Sequence, residues 1–134
     1  MAQVFLDTNF FIDLVGGRSN KVATMDLDQQ QVYISPLSVH ILFYVERKKV
    51  PNLIANVTIS QFKLISLTTD ITEKSLEGPT NDLEDNIQLH SAADADCDYF
   101  LTNDKKLLRL GYFGKTKIAN SLPSFRPAGP ELSR

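Results

Sequence analysis

The apolar positions of this chain come in short runs that alternate between two periods. Val4-Phe5-Leu6 is a continuous apolar triplet closed by Asp7-Thr8-Asn9, and Phe10, Phe11 and Leu14 follow at helical spacing. A short run bounded by turn-forming residues reads as a buried parallel strand, and the residues after it as a helix. The helix is expected over residues 9–14, with Thr8 or Asn9 as N-cap and Gly16-Gly17 as its stop. Residues 21–28 predict another helix, with Val22, Met25 and Leu27 inward, and Val32-Tyr33-Ile34 predicts a second strand. Ser35-Pro36 then opens a helix, with serine as N-cap and proline in the first turn, where its missing N–H costs nothing. That helix runs to Glu46 and ends in Arg47-Lys48-Lys49, cations that suit a helix C-terminus.

Val50-Pro51 opens a further helix in which Leu53, Ile54, Val57 and Phe62 keep one face apolar. Residues 64–67 read as a third strand and residues 70–76 as a helix broken by Glu77-Gly78-Pro79. Asn81-x-x-Glu84 has the form of a capping box for a helix reaching about Ala95. Tyr99-Phe100-Leu101-Thr102 is a fourth strand, residues 104–110 a short helix, and Lys117-Ile118-Ala119 a weak edge strand. The regular alternation predicts a three-layer α/β domain around a mainly parallel sheet, occupying residues 1–122. Residues 123–134, rich in proline, read as a flexible tail.

Composition narrows the function classes. A chain of 134 residues, 43% hydrophobic and 22% charged, is long enough for one globular domain with a real core. The formal net charge of −2 gives no global basic field, which argues against a tight binder of long duplexes. No stretch approaches the roughly 20 apolar residues of a membrane span, and no signal core follows a basic N-terminus, so a cytoplasmic location is expected. Cys97 is the single cysteine, which excludes an internal disulfide, and His40 and His90 stand apart, which excludes a zinc cluster. Gly16-Gly17 lacks the spacing and the lysine of a phosphate-binding loop.

Candidate chemistry lies in the acids. Asp7 and Asp104 each follow an apolar strand at its carboxyl end, where open α/β sheets place ligands. Asp82 and Asp85 stand three residues apart in a first helical turn, on one face. Each also has a plain explanation, because caps and first turns favour carboxylates. Taken together, a strand-end acid, a helical acid and a second strand-end acid form the donor set of a hard divalent cation such as Mg²⁺ or Mn²⁺.

Phe5-Leu6-Asp7-Thr8-Asn9, Ile34-Ser35-Pro36-Leu37-Ser38, Asp82-Leu83-Glu84-Asp85-Asn86 before Ala92-Ala93, and Asp98-Tyr99-Phe100-Leu101-Thr102-Asn103-Asp104 resemble, in order and spacing, the motifs of the PIN domain family. The resemblance covers the chain up to about Pro123. It implies a small α/β/α sandwich and metal-dependent cleavage of RNA, often by the toxin half of a VapBC-type toxin–antitoxin pair. It also implies that Asp7, Asp85 and Asp104 are the catalytic, metal-holding acids. Asn9, Ser38, Asp82, Thr102 and Asn103 are the supporting polar positions, and Lys105, Lys106 and Arg109 meet RNA phosphates. Arg47-Lys48-Lys49 and Lys115/Lys117 are further candidate phosphate contacts, with a solvated face as the plainer reading of the first cluster. Expected partners are RNA, a small antitoxin and a second copy of the chain through its helices.

One departure stands out. The family's second acid, a Glu on the helix after the second strand, aligns with Ile41. Glu46 is five residues later, about 140° round the helix, and does not replace it. His40 is a further candidate there, against the plainer reading of an ordinary helical histidine. A site short of one carboxylate binds metal more weakly and is less suited to two metals. The expectation is therefore a ribonuclease, with a catalytically weak or inactive RNA- or protein-binding PIN-like module as the alternative. A phosphorylated response-regulator domain also wants clustered acids, but Asp7 has no paired acid beside it.

Overall fold

The computed structural model describes residues 1–16 and 27–123. In chain order the elements are β1 (Gln3–Leu6), α1 (Thr8–Val15), β2 (Gln31–Ile34), α2 (Pro36–Val45), α3 (Leu53–Ile59), β3 (Lys63–Leu64), α4 (Thr69–Glu77), α5 (Leu83–Asp94), β4 (Tyr99–Leu101), α6 (Lys105–Leu110), β5 (Tyr112–Phe113) and β6 (Thr116–Ala119). The strands form one sheet of order β3-β2-β1-β4-β6-β5. Every pairing is parallel except that of β5 with β6. The expected mainly parallel sheet flanked by helices is the observed fold.

Period-two alternation explains the layers, since successive strand residues face opposite sides. Val4, Leu6, Val32, Ile34 and Leu101 point to one face and pack with Phe10, Phe11, Ile12 and Leu42 of α1 and α2. Phe5, Phe100 and Ile118 point to the other and pack with Ile71, Leu89 and Leu107 of α4, α5 and α6. Phe5 and Phe100 are in register on adjacent strands, and their rings stack at 5.4 Å with 9° between planes. Each such fully buried side chain contributes roughly 1.5–3 kcal/mol of transfer free energy. No helix among the described residues is long and apolar enough to cross a membrane.

The structure corrects several expectations. Asp7, not Thr8 or Asn9, caps α1, its carboxylate accepting the Phe10 N–H at 2.8 Å. Asp82, not Asn81, caps α5 and accepts the Asp85 N–H at 2.9 Å, so the expected capping box does not form. The third strand is shorter and earlier than residues 64–67, although the Ile65 N–H still donates to the Ile34 carbonyl. The helix after Pro51 ends at Ile59, and Leu53, Ile54 and Val57 are exposed by 76%, 81% and 56% rather than packed on the core. β6 is interior, because the short β5 pairs outside it. Of the helix expected over residues 21–28, only the end is described, as a 3₁₀ turn Leu27–Gln29; residues 17–26 and 124–134, including most of the expected tail, lie outside the described residues.

Candidate active site

β1 and β4 run side by side with Leu6 opposite Leu101, so Asp7 and Thr102 leave the sheet together. The Asp7 N–H donates to the Leu101 carbonyl at 3.0 Å, holding the two strand ends in step. Two residues beyond Thr102, Asp104 caps α6 and accepts the Lys106 N–H at 2.8 Å. The buried Thr102 hydroxyl accepts the Asp104 N–H at 3.0 Å, which fixes the turn between strand and helix.

The third acid arrives on α5. Asn86, buried one residue beyond Asp85, binds the approach to this helix: its side chain accepts from the Thr80 N–H and hydroxyl and donates to the Ser75 and Thr80 carbonyls. One turn later the buried Gln88 accepts the Thr8 N–H at 2.7 Å, tying the first turns of α5 to the end of β1. From the other side α2 contributes Ser38, fully buried, its Oγ 2.8 Å from the Thr8 hydroxyl. Three separate elements thereby converge on one cleft of about 260 Å³.

Of the residues expected from sequence, Asp7, Asn9, Asp85, Asn103 and Asp104 line this cleft. Thr102 and Ser38 lie beneath it as supports, and Asp82 is the exposed cap one turn before Asp85. Lys105, Lys106 and Arg109 are exposed along α6, next to the cleft but not in its wall. Lys115 and Lys117 are elsewhere, at the amino ends of the strands. His40 lines a separate apolar groove with Val39, Phe43 and Phe62. Ile41 packs against the apolar cluster under α1 and α2, so α2 supplies no carboxylate where the family pattern has its Glu.

Thr8, Asp13, Glu84 and Gln88 also line the cleft and were not expected there. Glu84 and Gln88 were signalled only by their spacing from Asp85. Asp13 lies one turn beyond Asn9 on α1, an i, i+4 neighbour that places both on one helix face.

The electrostatics follow from crowding acids in a partly dry place. Burial pushes Asp7 up to about 6, with repulsion from Asp104 and Glu84 adding to it, against the favourable bonds from Thr102 and the Phe10 N–H. Burial also raises Asp85 to about 6, helped by repulsion from Asp82, Asp104, Glu84 and Asp7. The ion pairs among the described residues involve none of Asp7, Glu84, Asp85 and Asp104. Such a donor set, all hard oxygens with excess negative charge, fits a hard divalent cation. Among the described residues, however, no three acidic, histidine or cysteine side chains stand close enough together to hold a metal ion.

Comparison with known proteins agrees with this fold. The sequence profile of the PIN domain family matches residues 3–106. No curated protein matches the chain in sequence. Among solved structures, a toxin–antitoxin complex from Klebsiella pneumoniae contains a chain 24% identical, with a TM-score of 0.64 over 77% of this chain and 88% of that one. VapBC2 from Rickettsia felis, bound to a DNA fragment from its promoter, is 14% identical with a TM-score of 0.63 over 87% of this chain and 96% of that one. VapC20 from Mycobacterium tuberculosis, a toxin that cleaves the sarcin–ricin loop, is 13% identical with a TM-score of 0.60 over 85% of this chain and 98% of that one. At these identities the likeness is one of fold.

Proposed function

The chain belongs to the PIN domain family, and from that membership we propose that it is a metal-dependent ribonuclease, the toxin of a toxin–antitoxin pair. The observation that carries the reading is the convergence of Asp7, Asp85 and Asp104, from three separate elements, on one cleft. These three would hold a Mg²⁺ or Mn²⁺ ion, with Glu84 within reach of the same space. When bound, such a cation supplies Lewis acidity at a phosphodiester and offsets the charge that grows there during hydrolysis. Asp7 is fixed by its cap and by Thr102, so its orientation is set before any substrate arrives. The Asp104 carboxylate is fixed in the same way as the cap of α6, while Asp85 is held through its backbone N–H, which donates to the Asp82 cap. Asn9 and Asn103 offer amides at the rim to orient water or phosphate oxygens, while Lys105, Lys106 and Arg109 meet flanking phosphates. The fold relatives, all toxins or toxin–antitoxin complexes, support a small antitoxin as partner.

The test is cleavage of a structured RNA by the purified chain with Mg²⁺ or Mn²⁺. Cleavage is expected, and EDTA or Asp7→Asn abolishes it; full activity in EDTA or an unaffected Asp7→Asn variant overturns the mechanism. The packing of Ile41 against the apolar cluster of α1 and α2 favours a second reading, a PIN-like module that binds RNA or protein without cutting it. Calorimetric titration with Mn²⁺ at neutral pH separates the two, since failure to bind the ion supports the non-enzymatic module.

A further inference from the structure

At the amino ends of the same strands lies a second, larger cavity of about 740 Å³, lined by Tyr99, Tyr112, Lys115, Lys117 and Gln29 among others. Lys117 on β6 is in register with Tyr99 on β4 and with Tyr112 on β5. Residues directly opposite on neighbouring strands project to the same face. The result is a row tyrosine–lysine–tyrosine across one face of the sheet, in which Tyr112 is 60% exposed and Tyr99 is half-buried against the apolar cluster of Val4 and Leu6. Lys117 is in none of the ion pairs among the described residues, and the nearby Asp98 already accepts the Gln3 N–H at 2.8 Å and faces Lys115 at 4.0 Å.

The charge at this cavity leans basic: Lys115 and Lys117 line it against one acid in its wall, Asp98. From residue 105 to residue 123 the chain carries Lys105, Lys106, Arg109, Lys115 and Lys117 and no acid, although the whole chain is net negative. α6 leads from Asp104 in the acidic cleft through Gly111 into β5, on the other side of the sheet, where Leu107 packs with Phe100 and Ile118.

We propose that this row is a stacking platform for single-stranded RNA, holding unpaired bases on Tyr99 and Tyr112 and phosphates on Lys115 and Lys117. Rings with lysines between them on an open sheet face take bases of any identity, because every base has a π-face. The choice of polymer rests on the ribonuclease reading, and the platform extends it: the enzyme grips an unpaired stretch remote from the bond it cuts.

The test measures binding without cleavage. A fluorescein-labelled 12-nucleotide oligoribonucleotide of unstructured sequence is titrated with the full chain in EDTA and followed by anisotropy. Tyr112→Ala is expected to weaken binding about tenfold, and Tyr112→Phe, which keeps the ring, to retain it. Lys117→Gln is expected to weaken binding and to make the slope of log affinity against log salt shallower by about 0.7. Circular dichroism establishes that each variant is folded. Wild type that does not bind the oligonucleotide, or a Tyr112→Ala variant within twofold of wild type, overturns the platform. Binding lost in Tyr112→Ala while Mg²⁺-dependent cleavage proves absent leaves the platform standing and removes the nuclease reading; cleavage with unchanged binding does the reverse.

Discussion

At the carboxyl ends of β1 and β4 five carboxylates share one cleft, while at the amino ends of the same strands two tyrosines and two lysines line a cavity with Asp98 as its one acid. The two ends are also held differently. Asp7 and Asp104 are helix caps, and Asp85 is bonded through its N–H to the cap before it, so the fold determines where these acids stand. Tyr112 sits on the two-residue edge strand β5 and Lys117 beside it on β6, both exposed to water. An acidic end assembled by capping keeps its charges together against their repulsion, and a cation relieves the cost. A basic end made of surface residues carries no such strain. Substitutions of the acids at the first should therefore change function and stability in opposite directions, and substitutions at the second should change binding alone.

The largest expected effect is on cleavage by Asp7→Asn. Asparagine caps a helix as well as aspartate does, so the backbone stays in place while the charge is lost. We expect a fall of at least about 100-fold, the scale on which loss of a preorganised electrostatic group is felt. The next effect is on stability, in metal-free protein. Burial raises Asp7 from the ordinary 3.8 to about 6 in the folded protein, so the folded state holds this proton more tightly than the unfolded state. Its favourable contribution is full below about pH 4, is lost as pH rises toward 6, and is gone at neutral pH. With EDTA present, wild type should lose stability across that window. Asp7→Asn should be more stable than wild type at pH 7 by on the order of 2 kcal/mol. Urea titrations at pH 4, 5, 6 and 7 measure this; a variant less stable than wild type at pH 7 would break the contrast between the two ends.

How much of this was legible in the chain differs from residue to residue. Asp7 and Asp104 were readable because each follows an apolar strand, and strand ends in a parallel sheet converge. The choice between cap and ligand was a false one for Asp7, whose single carboxylate both caps α1 and faces the cleft. Glu84 and Gln88 were not readable, since which side of α5 meets β1 is set by the bonds of Asn86 and Gln88 and not by the helix's own pattern. α3 shows the same limit from the other side: Leu53, Ile54 and Val57 form an apolar face, but amphipathicity does not say what covers it. β5 was missed because two residues give no alternation to read, and with it the interior place of β6. Ile41 was read as a lost acid from a family pattern, and the structure shows it half-buried against the apolar cluster of α1 and α2.

Two smaller effects sharpen the comparison. Ser38→Ala removes the 2.8 Å bond to the Thr8 hydroxyl in a fully buried place, and leaving one buried hydroxyl without its partner costs about 1–2 kcal/mol. Cleavage should fall only a few-fold, because the Thr8 N–H remains held by Gln88; a shifted urea midpoint with an unchanged slope identifies the loss as one of stability. Tyr112→Ala should give the smallest change of all. The ring is more than half exposed and its strand is two residues long at the sheet's edge, so the stability change should lie within about 0.5 kcal/mol. The same substitution is the one expected to weaken RNA binding. A Tyr112→Ala variant that unfolds at markedly lower urea would show that the amino end is braced as the acidic end is, and that its tyrosines serve the sheet before they serve a ligand.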